Sequence, residues 1–394
     1  MNVKLMMMAV LWLLAGVASA NDGVFYVNGN QLVPIHETDV AVTKEVLTIS
    51  IGDDHYAYVD VLYEFTNRGA AKMVDMGFEA VAPYNAEESA LGAEGHPYIE
   101  NFTVTLNGQP LSFKTSLVQT GSEDESTDFK PLNMQEWRKP NPDSMDEEDW
   151  GDNLINKKTK ESINYSVAYL FRANFKAGKN EVHHTYRYLM SGGVYRHFEI
   201  PYWLKPAMRW ANHQIDDFTL RIQAKNTAKQ FCLHDSGLWD GATWTVTQGK
   251  GKVHRYTGGY DDAQYFEFSL RNGTVEWHKK NFRPTDNFTI MSGDAILFYP
   301  EEKFKLGRFY DRTAVMLHPY VWDDTTNQEK EVNTDGLGIH RIMRNLPYAN
   351  RGYVFKDQKL QAYFNSLWWY MPDPTWKQDT SDFTEQEWER VNGK

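Results

Sequence analysis

Aromatic rings set beside cations are the residues of this chain with the clearest chemistry to offer. Tyr202, Trp203 and Trp210 stand among Tyr195, Arg196, Phe198, Pro201, Pro206 and Arg209. Rings with arginines beside them can stack on sugar rings or peptide planes. The competing role is a loop crossing that plugs the end of a sheet. A second group lies within residues 335–370: Arg344, Asn345, Tyr348, Asn350, Arg351, Tyr353 and Trp369. Arg351 can give a planar, multi-donor contact to a carboxylate or to backbone oxygens. Its competing role is a structural corner. Both groups are candidate binding positions.

Catalytic and metal chemistry finds no comparable support. The chain has no Gly-x-Ser-x-Gly elbow, no His-Glu-x-x-His, no Walker loop and no Gly-x-Gly-x-x-Gly fingerprint. Its single cysteine, Cys232, cannot build a cysteine-rich zinc site or an internal disulfide, and it reads as a buried thiol. His183 and His184 are adjacent, so on a strand they face opposite sides and do not readily share a metal. No catalytic residue, metal or cofactor is assigned. With 53 acids, a pair of carboxylates could still be assembled in space without leaving a mark in sequence.

Strands must position these residues. Ala57, Val59, Val61, Tyr63 and Phe65 alternate with Asp60 and Glu64, the period of a half-buried strand. Phe102, Val104 and Leu106 alternate too, and Asn107-Gly108 then predicts a hairpin, with Pro110 on an edge. Further short alternations occur near Tyr165, Val182, Phe218, Trp244, Phe266 and Phe288. Turn signals separate them and no helical period intervenes, so the expected body is an antiparallel β-sandwich, mainly β. Its first half is expected at 21–118 and its second at 162–300. Residues 119–161, rich in acids and proline, read as a solvated loop without the spacing of a calcium loop. Residues 301–334 read as a connecting segment.

Lys4, an apolar run to Leu14 and Ala18-Ser19-Ala20 predict a signal peptide over residues 1–20. The expected product is exported and soluble, periplasmic or extracellular. The net charge of −12 disfavours nonspecific binding to nucleic acid or anionic lipid. An integral membrane protein is not expected.

Residues 335–394 read as a small helical module. Ile339, Ile342, Met343 and Leu346 share a helix face, which Pro347 should end or kink. Gly352 suits a left-handed exit, and Asp357 can cap a second helix carrying Leu360, Tyr363 and Phe364. Thr384 and Glu387 form a capping box before a third, with Phe383 and Trp388 placed as its staple. The run Arg344-Asn345, Tyr348-Ala349-Asn350-Arg351-Gly352-Tyr353, Phe355, Leu360, Tyr363-Phe364 and Trp369-Tyr370 resembles the YARHG domain. Asn350 and Arg351 stand where that family usually has arginine and histidine. The resemblance implies a bacterial exported protein in which the module sits beside another domain.

The expected function is a non-catalytic binding or structural protein of the cell envelope, with a glycan, peptide or protein as partner. The alternative is an envelope-polymer hydrolase with a carboxylate-based site. Amino-terminal sequencing of the exported form should read from Asn21, and recovery of Met1 in a membrane fraction would refute this.

Overall fold

A computed structural model of the chain describes residues 32–34, 39–80, 99–119, 132–138, 154–190, 198–239, 241–257, 264–292, 320–323, 328–331 and 336–392. The expected signal peptide, Tyr195, Arg196, the acidic runs near Asp124 and Asp146 and most of the connecting segment lie outside the described residues.

The body is mainly β, as the alternations predict. One sheet has ten strands. Across it run Glu199–Tyr202, Phe288–Ser292, Ile215–His234, Val40–Ile51, Tyr56–Asn67, Gly178–Leu189, Ile99–Leu106 and Gln109–Pro110. The 20-residue strand Ile215–His234 also pairs along its other edge with Gln264–Phe282, which pairs in turn with Thr245–Thr257. Neighbours are antiparallel except at one seam, where Phe218–Ala224 lies parallel to Glu45–Ile51. That seam joins two antiparallel groups of strands, and both expected halves contribute to the sheet, since Gly178–Leu189 pairs with Tyr56–Asn67 and Ile99–Leu106. A four-stranded sheet, Leu32–Pro34, Lys72–Ala80, Tyr165–Phe175 and Phe113–Gln119, covers part of one face.

Alternation aims one side chain in two at the interface between the sheets. Phe78 from the small sheet meets Phe102, Tyr186 and His184 of the large one at ring distances of 5.0, 4.9 and 5.6 Å. A second aromatic knot, Trp239, Trp244, Trp277 and Phe288, fills the far end. The Asn107-Gly108 hairpin forms as predicted, with φ of 50° and 76° at its two turn residues. Within the expected 119–161 loop, Trp137–Arg138 and Leu154–Asn156 join Ser162–Ile163 in a three-stranded sheet. Strands of two or three residues are too short to show a period.

The C-terminal helices are Ile339–Asn350, Gln358–Asn365 and Glu385–Val391. Asp357 caps the second through the Leu360 amide, and the capping box of the third is complete. Pro347 does not end the first helix, which continues to Asn350. The carbonyl of Pro347 accepts from the Arg351 guanidinium, and short turn bonds from Arg351, Gly352 and Tyr353 close the last turn.

Glu45 and His184 are ionisable side chains that sit wholly inside the sandwich. Burial pushes Glu45 up to about 8, and burial, then the neighbouring His183, pushes His184 down to about 3. Neither ring nitrogen of His184 has a hydrogen-bond partner among the described residues. Both groups therefore favour their neutral forms in the fold. The Glu45 contribution is fully present below pH 4.5 and is lost as pH rises through about 8. The His184 contribution is present above pH 6.5 and is lost as pH falls toward about 3. Thermal melts should thus show Glu45→Gln gaining on wild type as pH rises from 4.5 to 8, and His184→Phe gaining as pH falls below 6.5. Parallel pH profiles for variant and wild type would contradict these burial effects.

Candidate functional site: a polar groove across the large sheet

The outward side chains of the large sheet form two transverse rows, set by strand register. One row reads Gln223, Ser50, Tyr58, Arg187 and Glu100. The next reads Glu276, Arg221, Thr48, Asp60, Thr185 and Thr103. Between them lies an open groove of about 520 Å3, to which Asn101 is added. At roughly 4.8 Å between strands, the first row, on five strands, is about 19 Å long and the second, on six, about 24 Å.

A bulge shapes one end. Thr185 pairs with Thr103 but Arg187 pairs with Glu100, so Ile99–Leu106 carries one extra residue there. Asn101 takes the left-handed conformation, φ 56°, which asparagine tolerates better than most residues. The irregularity places Asn101 in the groove lining.

The lining is held by its own hydrogen bonds. Arg187 Nε donates to Glu100 at 2.8 Å, and its guanidinium lies 4.4 Å over the Tyr56 ring. The Tyr56 hydroxyl donates to Glu100 at 2.8 Å. That bond, then the Arg187 contact, holds the Glu100 carboxyl below the usual range, so it stays ionised. Arg221 Nε donates to Glu276 at 2.7 Å, the Ser50 hydroxyl to Gln223 at 2.9 Å and the Tyr58 hydroxyl to Asp54 at 2.5 Å. Asp60 faces His183 at 3.1 Å. These contacts fix donors, acceptors and one half-exposed ring before any ligand arrives.

None of these lining residues was a sequence candidate. The signal lay in the polar positions of each alternation, but which ones stand side by side depends on register. The sequence candidates fall elsewhere. Tyr202 and Trp210 are buried, and Trp210 packs 4.4 Å from the Phe65 ring. Trp203 is half-buried, and Arg209 is exposed at the end of the short helical turn Lys205–Arg209. In the module, Trp369 is core, Arg344 is exposed and Asn345 donates to the Arg341 carbonyl. Tyr348 and Tyr353 are half-buried beside Trp376. Asn350 is buried, its Oδ1 without a hydrogen-bond partner among the described residues.

Arg351 is inside. Its guanidinium donates to both Glu387 oxygens at 3.0 Å, to the Asp382 carboxylate at 2.9 Å and to the carbonyls of Pro347 and Asp382. Those bonds use all five of its N–H donors, and the Phe383 ring lies 4.1 Å below. Among the described residues no group of three or more His, Cys, Asp or Glu is placed to hold a metal ion.

The module is fastened to the body through the Thr245–Thr257 and Gln264–Phe282 hairpin. Arg271 and Lys252 donate to the carbonyls of Met371 and Tyr370 at 3.0 and 2.8 Å. Ser269 donates to the Trp369 carbonyl, Lys250 pairs with Asp373 at 2.6 Å, and His254 stacks on Trp368. The Lys250 contact, then the Thr375 hydroxyl, holds Asp373 well below the carboxylate range.

Two family models match the chain. The YARHG domain model covers residues 320–392, so the module is a YARHG domain, and the match takes in the Tyr320–Asp323 and Gln328–Glu331 strands. A domain of unknown function, DUF4424, matches residues 20–199. No curated protein matches. Among solved structures, a Legionella pneumophila protein described as nutrient binding is 17% identical, covers 93% of this chain and 98% of its own, and has a TM-score of 0.47. An M1 zinc metallopeptidase from Deinococcus radiodurans is 8% identical over 69% of this chain, which spans 45% of the peptidase, at a TM-score of 0.25. Baculovirus P35 is 10% identical, covering 65% of this chain and 97% of its own, at a TM-score of 0.22. Likenesses at these levels carry neither fold nor function to this chain.

The Arg351 geometry predicts a stability effect. Arg351→Met removes the ion pair of the buried Glu387 carboxylate and should destabilise the module by about 3–5 kcal/mol. Gly352 has φ 84°, and a Cβ there would fall onto the Arg271 guanidinium and within 2.5 Å of the Met371 carbonyl oxygen. Gly352→Val should therefore cost roughly 1 kcal/mol or more and loosen the fastening to the body. Tryptophan-monitored denaturation checks both, and a midpoint unmoved by Arg351→Met would place that arginine outside the module core.

Proposed function

We propose that this chain is an exported, non-catalytic binding protein of the bacterial cell envelope, with the groove on the large sheet as its binding face. The observation that carries this reading is the pair of hydrogen-bonded side-chain rows. They are pre-set for contact and lack a reacting pair. Among the groove's described lining residues the one carboxylate is Asp60, and it faces His183. Glycoside hydrolysis with two carboxylates needs both across one bond, about 5–9.5 Å apart, with one kept protonated. The nearby Glu100 and Glu276 are each committed to an arginine. No helix among the described residues is long and apolar enough to cross a membrane.

The YARHG domain is a companion fastened beside the groove. Its Arg351 serves the domain's own interior, which favours the structural corner over a recognition contact.

Co-sedimentation of the mature protein with isolated envelope polymer tests the proposal. Wild type should sediment with the polymer, a Tyr58→Leu/Arg221→Met double variant should stay in solution, and no new reducing ends or amines should appear. Release of fragments by the wild type would overturn the non-catalytic reading. Equal retention of the double variant would overturn the groove as the binding face.

A further inference from the structure

Resting on the binding reading above, we propose that the groove takes a neutral, polyhydroxylated ligand: a stretch of uncharged oligosaccharide laid across the strands.

Charge balance is the first reason. The groove's two cations, Arg187 and Arg221, are already matched by Glu100 and Glu276, and Asp60 adds a negative charge beside His183. An anionic ligand would have to displace bound carboxylates rather than meet a free cation. A cationic ligand would find Glu100 and Glu276 likewise engaged and would meet a single carboxylate, Asp60, which already faces His183 at 3.1 Å. What the groove leaves open is a set of dipoles. Arg221 uses its Nε–H on Glu276, leaving the N–H groups at the fork's tip for other contacts. Thr48, Asn101 and Gln223 add a hydroxyl and two amides. Each of these both donates and accepts, as does every sugar hydroxyl.

Backbone pairing is the second reason. The strands under the middle of the groove, Val40–Ile51, Tyr56–Asn67 and Gly178–Leu189, are paired on both edges. No peptide can add to them as a further strand, so recognition falls to side chains alone. Tyr58 supplies the third. Tyr58 is 37% exposed in the middle of a row and lines the groove, and its hydroxyl is tied to Asp54, so the ring can offer the groove an apolar face. Such a face suits the C–H side of a sugar ring. The bulge at Asn101 then adds an amide at the groove's end, where the strand would otherwise continue flat.

The test uses the full mature chain and oligosaccharides released from the isolated envelope and separated by charge. The neutral fraction should compete with retention on envelope polymer, and its binding in calorimetry should hardly change with salt. Tyr58→Leu, and separately Asn101→Gly, should each weaken neutral-fraction binding about tenfold with the melting midpoint unchanged. Asn101→Gly is suited to this because glycine accepts the left-handed backbone already present. Competition by the anionic fraction alone, weakening as salt rises, would overturn the neutral ligand. Neutral binding indifferent to both variants would overturn its placement in the groove. Failure of both fractions, with retention still dependent on Tyr58 and Arg221, would overturn the ligand class and leave the binding reading intact. Retention that is absent altogether would end both.

Discussion

Seven residue pairs, Phe218 through Ala224 beside Glu45 through Ile51, join two antiparallel groups of strands into one sheet. A parallel contact cannot come from a hairpin, so the chain must travel a long way between Ile51 and Phe218 before it is made. That loop-closure entropy is offset by what the seam buries. Leu47, Ile49, Leu220 and Ile222 are all fully inside. Without the seam there is no continuous outer surface, and neither transverse row crosses it, from Ser50 to Gln223 or from Thr48 to Arg221. The groove is therefore a property of the sheet's topology before it is a property of its side chains.

The long strand also decides where the second domain sits. Ile215–His234 pairs for most of its length with Gln264–Phe282, and the fastening to the helices is made by that hairpin. The fastening is polar, with two cationic side chains reaching carbonyls and one buried hydroxyl doing the same. It asks for matched geometry, and Gly352 meets that need by leaving room for the Arg271 guanidinium. Inside the helical domain the same economy holds. Phe355, Tyr363, Phe364, Trp369 and Tyr370 supply the core of a unit too small to bury much otherwise. Arg351 then ties the end of the first helix to the start of the third.

Much of this was legible in sequence, and the rest was hidden for identifiable reasons. Alternation found the face of Tyr56–Asn67, Asn107-Gly108 marked the hairpin after Ile99–Leu106, and Thr384 with Glu387 marked a helix start, because each is a local rule read from neighbouring residues. The YARHG resemblance was carried by the spacing of its rings, which the core demands. The groove was invisible because Tyr58, Arg187 and Arg221 lie far apart in the chain and become neighbours through register alone. Pro347 did not end its helix at that point, since a proline removes only its own N–H donor to the carbonyl four residues back and the turn here continues to Asn350. For Arg351 the residue type was informative and its role was not. A planar set of donors suits a ligand and a buried carboxylate equally well, and only burial distinguishes them.

Glu276 and Arg271 complete the connection between the two halves of the molecule. Both belong to Gln264–Phe282, five residues apart, so roughly 17 Å separates them along an extended chain. Glu276 ends one groove row by holding Arg221, while Arg271 holds the Met371 carbonyl of the helical domain. Arg271 and Thr274 to Glu276 are paired on both sides, to Ile215–His234 and to Thr245–Thr257, with a register shift at Asn272 and Gly273 between them. A strand clamped on two edges has little freedom to swing. The helical domain is thus fastened to the same strand that shapes the groove's end, and its aromatic patch at Tyr348, Tyr353 and Trp376 belongs to that fastened unit.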